Sequence, residues 1–187
     1  MKRILMLIAF LTGICVSAGN FNVYDFLKTH TDLDVIEFSK NNFDFLQQTT
    51  SDILVAAVAE KRYELVDSLV KSGFVVEGKE PQTPLCFAAD LGDHKMIKLL
   101  LSHGANPNPA NTLAPAIRVI LSLKSMSLTR DNYFTDAKKS IDLLLPVTAF
   151  TENDFVTMAS FVDQEKDLPI KKQKADLLAY MRSFYQK

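Results

Sequence analysis

Thr83-Pro84-Leu85-Cys86-Phe87-Ala88-Ala89-Asp90-Leu91-Gly92-Asp93-His94-Lys95-Met96-Ile97-Lys98-Leu99-Leu100-Leu101-Ser102-His103-Gly104-Ala105-Asn106-Pro107-Asn108 is the stretch whose reading decides the fold. Thr83 suits a helix start because its hydroxyl can accept a free amide, and Pro84 at the first helical position gives up no bonded N–H. Leu85 brings apolar bulk, and Ala88 and Ala89 are small enough to let a neighbouring helix approach closely. Gly92 breaks that first helix. Met96, Ile97, Leu100 and Leu101 recur at helical spacing and give a second helix one apolar face. Gly104 ends it, since glycine enters the left-handed conformation freely. A helix, turn, helix and loop follow from these residues alone.

The same string resembles an ankyrin repeat, following the pattern T-P-L-x-x-A-A-x-x-G…I-x-L-L-L-x-x-G-A-x-x-N almost position for position. The resemblance implies an all-α solenoid of stacked helix-turn-helix units. Working back from it, Asp52 to Gly73 forms a second unit at a shift of 31 residues, with Ala57 on Ala88, Leu65-Val66 on Met96-Ile97 and Leu69-Val70 on Leu100-Leu101. Lys61 stands where the turn glycine is expected. Working forward, Asn111 to Ala116 can be set on Thr83 to Ala88, and Ile141-Asp142-Leu143-Leu144-Leu145 on Ile97 to Leu101. On that alignment the third unit carries about 16 extra residues between Ile117 and Ser140, with Lys124 to Thr135 read as loop. That loop either folds back on its own unit or reaches a partner.

The expected organisation is a leader at 1–18 followed by one ankyrin-repeat domain at 19–187. Within it lie an N-terminal helical cap at 19–50, units at 52–82, 83–110 and 111–148, and a partial unit with a C-terminal cap at 149–187. In the first cap Val23, Phe26 and Leu27 share a face, as do Leu33, Ile36 and Phe38 less cleanly. Phe43, Phe45 and Leu46 suggest a third short segment. After Pro146, Thr151 or Asn153 can cap one helix and Asp167 with Pro169 can start the last. That final helix carries Lys171, Lys172, Lys174 and Arg182, either as a solvated face or as an anionic docking surface.

Met1-Lys2-Arg3, the apolar run Ile4 to Val16 and the small residues Ser17 and Ala18 have the layout of a secretory signal. The alternative is a membrane anchor, but Ile4 to Ala18 is 15 residues, short of the ~20 that a spanning helix needs. A cleaved leader, export to the periplasm or beyond, and no stable membrane insertion afterwards are therefore expected. The style of the signal suggests a bacterial chain. Without residues 1–18 the chain has 19 basic groups against 22 acidic ones, a mild acidity that argues against nucleic-acid binding. Cys86 is then the sole cysteine, so no internal disulfide can form, and a small buried apolar role suits it better than a reactive thiol.

A catalytic reading finds little to build on. His30, His94 and His103 form no H-E-x-x-H, there is no cysteine pair for a metal, and no glycine-rich phosphate loop or G-x-S-x-G elbow occurs. Nine steps of ~100° place His94 and His103 on opposite sides of one helix. No catalytic residue, cofactor or metal is expected. The ankyrin resemblance implies instead a non-catalytic protein-binding module whose loop tips and exposed first-helix positions meet the partner. Carried onto this chain, those positions are Lys79, Glu80, Gln82, Asp90, Leu91 and His103, with Ala59, Glu60 and Ser72 in the unit before. Leu91 and the insertion's Tyr133 and Phe134 are the nearest candidate anchors, and Arg62 with Tyr63 form a second pair. A monomer is expected, with either a host-directed effector role or a periplasmic protective one.

Overall fold

The structure, a computed structural model, describes residues 22–48, 53–77, 83–109, 113–122 and 133–185. Those residues form eleven helices and no strand. They are α1 (Val23–Thr29), α2 (Asp32–Asn41), α3 (Phe43–Gln48), α4 (Ile53–Ala59), α5 (Tyr63–Lys71), α6 (Pro84–Asp90), α7 (His94–Ser102), α8 (Pro115–Ser122), α9 (Tyr133–Leu144), α10 (Glu152–Gln164) and α11 (Leu168–Tyr185). Except for α3 they pair into five hairpins. An inner row, α1, α4, α6, α8 and α10, stacks in that order, and an outer row, α2, α5, α7, α9 and α11, stacks behind it. This is the solenoid that the resemblance implies, two hairpins longer than its three recognised units.

Capping chemistry sets most boundaries. Thr83 Oγ1 accepts from the Cys86 amide at 3.1 Å, and Asp93 Oδ1 accepts from Met96 at the same distance. Thr31 and Thr151 each form a reciprocal capping box, with Asp34 and Asp154, which satisfies two orphan donors at once. Thr151 therefore starts α10, and Asp167 Oδ1 accepts from Ile170 to start α11. One expected face differs: Val35 and Phe38 are buried in α2 while Leu33 is 79% exposed. The Phe38 ring lies 4.7 Å from the Phe26 ring of α1, and that contact fixes the rotation of α2 with Leu33 outward.

The 31-residue register is visible in the backbone. Gly73 and Gly104 have φ of 100° and 84°, and Lys61 and Gly92 have φ of 57° and 60°. After each turn the same bonds recur: Arg62 N to Ala57 O and Asp93 N to Ala88 O, both 3.0 Å. Lys61 thus occupies a left-handed position where its Cβ crowds the following carbonyl, at a cost of about 1 kcal/mol or more. Lys61→Gly is expected to stabilise the fold by about 1 kcal/mol. A urea titration checks this, with the midpoint rising at unchanged slope.

The third unit begins one helical turn later than the sequence alignment places it. Pro115 is the first residue of α8, as Pro84 is of α6, so the 31-residue shift continues and Val119 and Ile120 take the buried places of Ala88 and Ala89. Buried Ile141 and Leu144 match Ile97 and Leu100, which leaves 13 extra residues rather than about 16. Tyr133, Phe134 and Thr135 are helical, not loop; residues 124–132 of the expected loop lie outside the described residues, as does the leader.

Candidate protein-binding surface

Residues on the inner helices that are not consumed by stacking define one continuous face. On α6, Phe87, Asp90 and Leu91 share a side at helical spacing, and each is half-buried. Arg118 and Leu121 hold the matching side of α8. Arg118 donates through Nε and Nη2 to the two carboxylate oxygens of Asp90, the Nε contact being 3.0 Å. This planar fork fixes the spacing of the two helices and neutralises both charges. On α4 the corresponding places are Ala59 and Glu60. Phe87 and Leu121 also pack against the core, which leaves half-buried Leu91 as the apolar side chain of this face outside that packing, beside a closed ion pair.

Polar straps hold successive hairpins in register. Arg62 leaves the cap of its own helix unmade and reaches back, pairing with Asp32 and donating to Leu27 O at 2.8 Å and His30 O at 3.1 Å. It thereby satisfies carbonyls at the end of α1. Tyr63 Oη donates forward to Asp93 at 2.7 Å, and burial together with that carboxylate pushes the phenol up to about 12. His103 Nε2 lies 2.8 Å from Asp67, and His94 Nδ1 lies 3.5 Å from Asp136, so the two ends of α7 bond to opposite neighbours. Lys71, and then His103, hold the Asp67 carboxyl below its usual range. Glu77 Oε1 accepts from Asn106 N at 2.7 Å; one register later Asn108 Oδ1 accepts from Ala149 N at 2.6 Å and its Nδ2 donates to Val147 O.

The family models match residues 13–111 as ankyrin repeats in three copies. The chain belongs to the ankyrin-repeat family. No curated protein and no solved structure matches it. The three matched copies include the N-terminal stretch expected as a cap, which accords with α1 and α2 stacking as a first hairpin. They stop before α8, and two further helical hairpins stack on the matched segment.

Within the array the residues picked from sequence divide into several groups. Lys79, Glu80 and Gln82 lie outside the described residues. Leu91 is half-buried at the end of α6, and Asp90 is beside it but committed to Arg118. His103 is not an outward contact: it sits at the end of α7 and is strapped to Asp67. Phe134 packs against the core instead of projecting as a finger; Tyr133 opens α9. Arg62 and Tyr63 are struts, each turned toward an adjoining hairpin. Phe87 and Leu121, which the sequence reading did not single out, lie beside Leu91 and Asp90 on this side and pack against the core.

Burial pushes the Cys86 thiol up, and its Sγ faces the Leu113 carbonyl at 3.9 Å. A thiol so placed is a poor nucleophile. Its neighbourhood is the Thr83 hydroxyl and the Asp90–Arg118 pair. The imidazoles are occupied elsewhere: His30 Nδ1 is 2.9 Å from both Thr29 Oγ1 and Phe26 O. Among the described residues no group of three or more His, Cys, Asp or Glu is placed to hold a metal ion.

Proposed function

We propose that this ankyrin-repeat protein is an exported, non-catalytic binding module that acts on a host protein in the manner of a secreted effector. What supports the reading most is the inner face itself, where half-buried Leu91 stands beside the partly exposed edges of the core-packed Phe87 and Leu121 while the Asp90 and Arg118 charges are already paired. Clustered apolar anchors of this kind dominate protein interfaces. The basic start, apolar run and small residues of positions 1–18 support export.

The test is affinity capture with residues 19–187 against host lysates and against the producing cell's own envelope, followed by titration of the captured partner. Leu91→Ala is expected to weaken that complex on the order of 30-fold with an unchanged helical signal. An unaltered affinity would remove the inner face from the account. Fractionation decides the destination: protein found only in the periplasm would replace the effector reading with that of a partner protecting or inhibiting an envelope enzyme or toxin.

A further inference from the structure

We propose that the turn between α10 and α11 docks on the anionic surface of a lipid bilayer. Three residues separate the two helices, so Phe161, near the end of α10, and Leu168 and Pro169, opening α11, stand at one end of the last hairpin. Leu168 is 76% exposed and Phe161 39%. Both are large apolar side chains held in water at the extremity of the fold. Lys172 follows Leu168 by one helical turn and shares its side, and Lys166 precedes it in the turn; both are exposed.

Most charges around this tip are spoken for, which leaves two lysines and the single carboxylate of Asp167 without an ion-pair partner among the described residues. Glu165 Oε2 accepts from the buried Lys174 ammonium at 3.0 Å, while its Oε1 accepts from the amides of Lys166 and Asp167. Lys174 thus leaves the lysine face expected from sequence and turns inward, and it holds the Glu165 carboxyl below the usual range. Asp167 caps α11, and Asp163 pairs with Lys171 at 3.6 Å. Asp176 lies a full turn beyond Lys172, away from the tip. The ammonium groups of Lys166 and Lys172 have no ion-pair partner among the described residues.

An exposed leucine and phenylalanine flanked by unpaired lysines is the arrangement that lets apolar side chains enter the acyl boundary while cations meet anionic headgroups. A protein partner fits less well, since a stable protein interface covers roughly 800 Å² on each side and this is a narrow convex turn. The docking is peripheral, because among the described residues no helix is long and apolar enough to cross a membrane. It uses a surface separate from the inner face.

The chain contains no tryptophan, so Leu168→Trp in the full chain gives a single fluorophore at the tip whose signal does not depend on any binding by the leader. Vesicles with 30% phosphatidylserine should shift its emission to the blue and make it quenchable by brominated acyl chains, whereas pure phosphatidylcholine should do neither. Adding Lys166→Gln and Lys172→Gln should weaken this response on the order of 25-fold, at about fivefold per lysine. No shift with either vesicle, an equal shift with both, or a shift indifferent to the two lysine changes would each overturn the proposal. Leu33→Trp, at the exposed position on α2, reports whether the tip differs from any other surface leucine: an equal shift there would also overturn it.

Discussion

Leu100→Ala is expected to lower stability by about 3 to 4 kcal/mol, the largest effect of any single change considered. Leu100 is fully buried in α7, which packs on α6 of its own hairpin and on α5 and α9 of the adjoining ones. Truncation removes apolar contacts on several sides and leaves a cavity that four helices would have to collapse together to fill. The Leu100 carbonyl also accepts from His103 and Ala105 at 3.1 Å, so slack in this turn loosens the Gly104 ending of the helix. Urea unfolding followed by far-ultraviolet circular dichroism measures the loss. Half-buried Leu101→Ala supplies the comparison, at about 1 kcal/mol; equal losses at the two positions would show that the stacking of α7 is misassigned.

Arg62→Ala should cost about 2 to 3 kcal/mol, and the cost should be local. The Arg62 side chain is 16% exposed, and its guanidinium serves Asp32, Leu27 O and His30 O together. Its removal leaves one carboxylate and two carbonyls of the first hairpin without their donor. Because repeats in a stack contact only their neighbours, that hairpin should fray while α6 to α9 stay intact. Amide hydrogen exchange should accelerate in α1 and α2 and remain slow in α7. Arg62→Lys should recover little, since a single ammonium cannot reproduce the fork. Uniform acceleration along the chain would mean that Arg62 supports the whole array and not one junction.

The hairpins were legible in sequence because their signals are local. Thr83-Pro84, Gly92 and Gly104 lie within one unit, and the apolar spacing of Met96 to Leu101 needs no knowledge of neighbours. The third unit was misread for the same reason: Asn111-Thr112-Leu113 imitates a helix start, whereas Pro115 is what fixes it, through the requirement that the first helical residue spare its N–H. Leu33 was misplaced because the Phe26–Phe38 contact that rotates α2 joins two helices. The straps lie furthest from local reading. Arg62 and Asp32 are 30 residues apart, Tyr63 and Asp93 also 30, Glu77 and Asn106 29, and Arg118 and Asp90 28. All fall near one repeat length, so complementary polar residues spaced by the 31-residue period were the signal that could have revealed them.

That period also explains why the inner face and the struts had been confused. A polar residue at a turn looks available in sequence, yet stacking brings the next turn beside it, and Arg62, Tyr63 and His103 are consumed as straps. Leu91 has no such strap, whereas Phe87 packs against the core.

Hydrogen exchange of the partner complex, read against the free protein, tests the central claim most directly. Binding to the inner face predicts new protection in α4, α6 and α8 with the outer helices α5, α7 and α9 unchanged. Protection confined to the outer row, or spread evenly over both, would contradict it.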